Sequence, residues 1–263
     1  EASRRPEIDR WILSLLNTLI AEVESSLDDY EPTRAARAIE EFVNDNLSNW
    51  YVRLNRKRFW AGEMDENKLS AYQTLYTCLK TVAMLMAPFA PFYSDRLYSD
   101  LMAPASEDGY ASVHLADFPV ADNSLVDPKL EKSMRLAQDI TSNVLALRRK
   151  VNLKVRQPLR TLLVPVMDQE QREAVKAVED LVKSEVNVKE LKIVDNEESG
   201  LVKRVKADFK KLGPRYGKVM KQLGKAVTDM TQPQILLLEK DGRFVFEDID
   251  GKPEVTLDDV EII

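Results

Sequence analysis

The sequence is short of the residues that most catalytic and metal sites require. It holds one histidine, His114, and one cysteine, Cys78. A Ser–His–Asp triad needs a histidine set in a motif, and His114 lies in a polar stretch beside apolar residues with no motif around it. A structural zinc site takes four ligands from Cys and His, which two such residues in the chain cannot supply. Cys78 has no partner for an internal disulfide and, among apolar helix positions, is expected to pack as a small hydrophobe. A lone cysteine and the lack of a secretory leader point to a reducing, cytoplasmic setting. The longest apolar run, Thr81 to Phe92, is broken by Pro88 and Pro91 and falls far short of a bilayer span, so no membrane association is expected. Gly213-Pro214-Arg215-Tyr216-Gly217 suggests a phosphate loop, but Pro214 removes an amide donor and no Lys-Ser/Thr follows. No internal repeat or low-complexity stretch is present.

What the chain does have is core-forming material and unevenly placed charge. With 263 residues, 44% hydrophobic and 31% charged, it is long enough for two ordinary domains and reads as globular. Its net charge of −6 hides separate islands. Arg148 to Arg160 carries six basic residues and no acid; Lys203 to Lys225 carries nine and the single acid Asp208. From Glu239 to Ile263 the balance reverses, with nine acids against three bases. Cationic islands on an acidic protein suit a selective RNA binder, while a merely solvated charged face is the alternative for each.

The densest island is Asn49-Trp50-Tyr51-Val52-Arg53-Leu54-Asn55-Arg56-Lys57-Arg58-Phe59-Trp60. At about 100° per residue, Ile39, Val43, Asn46, Leu47, Trp50 and Leu54 form one apolar stripe. Arg53, Arg56 and Trp60 flank it on one side; Tyr51, Asn55 and Arg58 flank it on the other. Lys57 falls on the stripe itself, so the core should stop near it and the last turn should enter solvent. Guanidinium groups beside aromatic planes can grip phosphate and stack on unpaired bases. Trp60 then either faces RNA or fills the core. A basic helix end complementing its own dipole is the plainer alternative for the whole stretch.

Periodicity predicts four helices in the first hundred residues: from about Ile8 to Asp28-Asp29, from Pro32-Thr33 to about Arg58, from Glu66 to Ala87, and from Pro91 to about Leu101. Short connections between long amphipathic helices imply an antiparallel bundle. A polar crossing segment follows, and then a long helix with Asp127 as N-cap and Pro128 in its first turn. Leu159–Val166, Gln169–Ser184 and Val188–Val194 read as strand, helix and strand. Leu201–Phe209 alternates like a strand, Tyr216–Ala226 is a basic helix, and Thr231-Gln232-Pro233 opens a short apolar one. Arg243–Asp248 and Glu254–Thr256 form a hairpin about Asp250-Gly251. The fold expected is mainly α: a helical bundle over residues 1–104, a connecting segment over 105–126, a long helix with an α/β unit over 127–198, and a small α+β extension over 199–263.

These runs resemble the anticodon-binding region of isoleucyl-tRNA synthetases. The similar stretches are Arg5-Pro6-Glu7-Ile8-Asp9-Arg10-Trp11-Ile12-Leu13-Ser14, Tyr30, Ala35-Ala36-Arg37, the Asn49–Trp60 block, Ala87-Pro88-Phe89-Ala90-Pro91-Phe92 and Ser112-Val113-His114-Leu115. They continue at Val155-Arg156-Gln157-Pro158-Leu159 and Phe209-Lys210-Lys211-Leu212-Gly213-Pro214-Arg215-Tyr216-Gly217-Lys218, and together span nearly the whole chain. The Pro-Phe-x-Pro-Phe and Arg-Gln-Pro-Leu turns look common to valyl and leucyl relatives; the Asn49–Trp60 and Leu212–Lys218 runs look isoleucyl-specific.

The resemblance implies a piece of a class I ligase that joins isoleucine to its tRNA through an aminoacyl-adenylate, with ATP and magnesium as the parent's requirements and no cofactor in this segment. The His-Ile-Gly-His and Lys-Met-Ser-Lys-Ser signatures do not occur. The segment, which opens inside a motif and without methionine, is therefore expected to be cut from downstream of the catalytic and editing domains and to be inactive alone. Its partners would be isoleucine tRNA and those upstream domains of the same chain. With one cysteine, it resembles the branch whose C-terminal extension lacks the zinc finger. The candidate tRNA-binding residues are Arg53, Arg56, Lys57, Arg58 and Trp60, then Arg148, Arg149, Lys150, Lys154 and Arg156, and finally Lys210, Lys211, Arg215 and Lys218. The competing class is a helical protein-interaction scaffold, which would need no cationic–aromatic interleaving and should not be retained on a polyanion column.

Overall fold

The computed structural model describes residues 5–60, 62–105, 111–195, 205–217 and 219–262. It is mainly α: a helical bundle followed by smaller α/β elements. The chain divides into two compact units, Glu1–Thr161 with Glu170–Leu191, and Leu162–Gln169 with Lys192–Ile263.

In the first unit, α1 (Glu7–Asp28) is the central element, packing against α2 (Pro32–Glu41), a π-helical stretch Phe42–Val52, α4 (Glu66–Met86) and α6 (Pro128–Lys150). Its apolar positions recur at helical spacing, and Trp11, Ile12 and Val23 are fully buried. Polar positions on the same helix dock the following segments. Ser14 Oγ accepts from Asp127 N at 2.7 Å, and Asn17 Oδ1 accepts from Asp122 N at 2.8 Å. Helix starts follow the local chemistry: Asp65 caps α4 by accepting from Lys68 N, and Asp127 caps α6 by accepting from Leu130 N with Pro128 in the first turn. The Pro88–Pro91 corner separates α4 from α5 (Pro91–Ala105).

The second predicted helix does not run unbroken to Arg58. From Phe42 its backbone bonds lengthen to the i→i+5 pattern, and after a turn at Asn55 a separate five-residue α3 (Arg56–Trp60) follows. The predicted Gln169–Ser184 helix is also two, α7 (Gln169–Ala177) and α8 (Glu179–Val186), parted at Val178. Strands β1 (Leu159–Val166) and β2 (Val188–Asp195) pair as a two-stranded sheet, as their β-branched runs suggest.

In the second unit, β3 (Val205–Ala207) pairs antiparallel with β6 (Val260–Ile262), and β4 (Arg243–Val245) pairs antiparallel with β5 (Glu254–Thr256). Residues 201–204 of the predicted Leu201–Phe209 strand lie outside the described residues, and Phe209 instead opens α9 (Phe209–Tyr216), capped by Asp208. Two helices complete the unit: α10 (Met220–Thr228), which starts later than the basic helix expected over Tyr216–Ala226, and α11 (Gln232–Asp241), which opens after Thr231 as expected. Its core holds Leu212, Leu223, Val227, Ile235, Leu238 and Val255, all fully buried. Gly242, at φ 71°, ends α11 in the left-handed conformation that a residue without Cβ adopts at least cost.

Candidate nucleic-acid interface

The Asn49–Trp60 block is where sequence and structure diverge most informatively. A 100° wheel puts Tyr51 and Asn55 on a flank; in the structure they are 0% and 2% exposed. The π-helical register is the cause. With i→i+5 bonding, Asn46 and Tyr51 come onto one face, so the inward direction drifts away from the Trp50–Leu54 line. Asn46 is held there by Gln138 of α6, whose amide donates to its Oδ1 at 2.9 Å.

The drift brings Tyr51 to a carboxylate buried in the first turn of α1. Asp9 is fully buried and accepts four hydrogen bonds: from Tyr51 Oη at 2.9 Å, from both terminal nitrogens of Arg58 at 2.7 and 2.9 Å, and from Ser70 Oγ at 2.7 Å. Burial alone would push the Asp9 carboxyl up; the bonds from Arg58, Ser70 and Tyr51, with the Arg58 charge, hold it below the ordinary carboxylate range. Burial, then the neighbouring Asp9 charge, pushes the Tyr51 phenol strongly up, so it stays a donor. Arg58 also donates to Asn55 Oδ1 and to the Asn67 carbonyl. Phe59 lies edge-on to both Tyr51 and Tyr72, with ring centroids 6.4 and 5.3 Å apart.

Two of the five α3 residues thus point inward and three do not. Arg58, proposed from sequence as an RNA ligand, is a structural clamp, because its guanidinium is committed to a buried carboxylate. Arg56 and Lys57 are exposed and make no ion pair among the described residues. Trp60 is 83% exposed, which settles its alternatives against a core role. Arg53 is exposed but engaged: it reaches the Asn49 carbonyl, pairs with Glu185 at 2.5 Å and lies 5.9 Å from the Trp50 ring. Asp9 was missed, although its signal was legible. It is an acid on the apolar face of an amphipathic helix, where an unpaired charge is too costly to leave.

The second island divides the same way. Arg148 is 3% exposed and donates to four backbone carbonyls, those of Lys154, Gln157, Val186 and Asn187, at 2.8 to 3.2 Å. It is turned inward and cannot serve as a phosphate ligand; it pins the turn after α6 to the end of α8. That turn is closed by Asn152 at φ 55°, with Leu153 N bonded to Arg148 O and Asn152 N to Arg149 O. Arg149, Lys150, Lys154 and Arg156 are all exposed around it, with no ion pair among the described residues.

The third island behaves differently. Lys211 Nζ donates to the Asp258 carbonyl at 2.7 Å, and one terminal nitrogen of Arg215 donates to both oxygens of the nearly buried Asp259 at 2.9 and 3.1 Å. Burial would raise the Asp259 carboxyl, but bonds from Thr256 and Arg215 keep it below the ordinary range. Tyr216 donates its hydroxyl to the Glu254 carbonyl and packs on the core. Lys210 is exposed, and Lys218 lies outside the described residues. Cys78 is fully buried, and burial pushes its thiol up, as befits an inert core residue. Among the described residues, no group of three or more His, Cys, Asp or Glu could hold a metal ion, and no helix is long and apolar enough to cross a membrane.

The geometry is thus a helical bundle with Arg56, Lys57 and the exposed Trp60 on one short helix. The chain belongs to the family described as the anticodon-binding domain of tRNA ligase, whose model matches residues 9–163. Over 262 residues it is 63% identical to the isoleucine–tRNA ligase of Porphyromonas gingivalis, covering 99% of this chain and 22% of that protein. The isoleucine–tRNA ligases of Bacteroides fragilis and Cytophaga hutchinsonii are 59% and 47% identical, again over 99% of this chain and 23% of theirs. The chain spans less than a quarter of the length of these curated relatives.

Proposed function

We propose that this chain is the anticodon stem-loop-binding part of an isoleucine–tRNA ligase, and that its partner is isoleucine tRNA. The observation that carries the reading is α3, where Arg56, Lys57 and Trp60 face outward on a helix whose other two side chains, the half-buried Arg58 and Phe59, turn toward Asp9, Tyr51 and Tyr72. A solvent-facing tryptophan beside two cations that make no ion pair among the described residues has little packing to contribute to the fold. It suits an unpaired base stacked on the indole and phosphates held on either side. Arg149, Lys150, Lys154, Arg156 and Lys210 would neutralise phosphate without selecting sequence. Under this reading ATP, magnesium and bond making belong to other parts of such an enzyme, its upstream catalytic and editing domains, and its working place is the cytoplasm.

The test is binding of the chain to isoleucine tRNA with valine tRNA as competitor. Preferential retention of isoleucine tRNA is expected. Equal competition would reduce the reading to a non-selective RNA grip, and absence of binding to either would remove it.

A further inference from the structure

We infer that Asp9 is the positioning residue that fixes the cationic–aromatic face of α3 in its binding geometry. The inference rests on the RNA-binding reading of that face and adds to it a residue that touches no RNA. Five residues are too few to hold a helix by their own hydrogen bonds. The set of α3 therefore comes from its backbone bonds to the preceding stretch, Phe59 N to the Asn55 carbonyl and Asn55 N to the Tyr51 carbonyl, and from what its inward side chains grip. Phe59 supplies apolar contact with two tyrosines, which leaves rotation about the helix axis weakly defined. Arg58 supplies direction: its planar fork meets both oxygens of Asp9 at 2.7 and 2.9 Å. Those oxygens are also held by Tyr51 from the π-helical stretch and by Ser70 from α4. Three elements thus converge on one carboxylate of α1, and Arg58 additionally reaches the Asn67 carbonyl at the start of α4.

A buried ion pair is a poor way to gain stability, since an apolar pair of equal volume commonly does as well. What it supplies is a unique geometry. Here the geometry it specifies is that of the helix whose outer face carries Arg56, Lys57 and Trp60.

A double-mutant cycle on the 263-residue chain, with isoleucine tRNA as probe, tests this. Trp60→Ala should weaken binding about ten-fold, and Asp9→Asn by a similar factor. Because Asp9 acts through the placement of Trp60 together with Arg56 and Lys57, the double mutant should lose clearly less affinity than the product of the two single losses. Iodide quenching gives a second readout: Trp11 and Trp50 are buried, so the accessible tryptophan is Trp60, and Asp9→Asn should alter its quenching. Should Asp9→Asn fail to fold, Tyr51→Phe, which removes one of the four bonds and keeps volume, carries the same cycle with a single-variant loss of about three- to five-fold. Losses that multiply in the double mutant would overturn the role of Asp9 while leaving the α3 face standing. A silent Trp60→Ala in a chain that still binds would overturn the α3 face and this inference with it.

Discussion

Around α3 and at the end of α6, the cations that hold the backbone and the cations that face outward are different residues; around α9 they are largely the same ones. Arg58 and Arg148 are spent inside, on Asp9 and on four carbonyls, and Arg56, Lys57, Arg149, Lys150, Lys154 and Arg156 make no ion pair among the described residues. Lys211 and Arg215 reach instead to the Asp258 carbonyl and the Asp259 carboxylate. Three stretches of similar composition therefore differ in what they can offer a polyanion. A basic run becomes a binding surface when its counter-charges lie elsewhere, and a fastening when they lie within reach.

The hardest blow to this contrast would come from Arg148. Its replacement by alanine leaves four carbonyls without their donor and should cost about 3–4 kcal/mol of stability. Lysine should rescue little, because a point charge cannot reproduce the fork. Urea unfolding checks this. A variant as stable as the parent but weaker on tRNA would show Arg148 facing RNA and dissolve the distinction between anchor and face.

Acid offers a second test that reaches both kinds of region. Asp9 and Asp259 each have a folded-state pKa below the ordinary value. The stability each adds is fully present above the unfolded value of about 3.9 and is lost as pH falls through the lower folded value. Urea midpoints should therefore be insensitive to these groups near neutrality and fall steeply below about pH 4. Asp9→Asn should remove part of that acid-side slope. An unchanged slope in that variant would mean that other carboxylates carry the acid response.

Trp60→Ala separates binding from folding within the α3 region. An indole 83% exposed has little packing to lose, so stability should stay within about 0.5 kcal/mol while affinity falls about ten-fold. Thermal melts beside binding curves check both halves, and a lower melting temperature with intact affinity would reverse the assignment.

Much of this was legible in the residues, and the exceptions have identifiable causes. The bundle, the Asp127 cap and the β4–β5 hairpin follow from local signals that tertiary packing did not override. The inward turn of Tyr51 and Asn55 was not legible, because a wheel assumes an α-helical period that the Phe42–Val52 stretch does not keep. The loss of Arg58 and Arg148 to the interior has another origin. Each is claimed by an acceptor distant in sequence, Asp9 in one case and the Val186 and Asn187 carbonyls in the other, and no count of local charge contains that information.

The smallest expected effects distinguish the α6 end from α9. Lys154 is exposed with no ion pair among the described residues, whereas Lys211 is fastened to the Asp258 carbonyl. If Lys154 meets phosphate, Lys154→Glu should make the slope of log affinity against log salt shallower by roughly 0.7–0.9, and should weaken isoleucine and valine tRNA alike. Lys211→Glu should leave that slope unchanged and lower the melting temperature instead, since it removes a bond to the C-terminal segment and places an acid beside Asp258. Lys210, exposed with no such bond, is the internal control: reversal there should move the slope if this island meets RNA at all. A shallower slope for Lys211→Glu with an unchanged melt would show that its contact with Asp258 yields to phosphate. The third island would then belong with the first two.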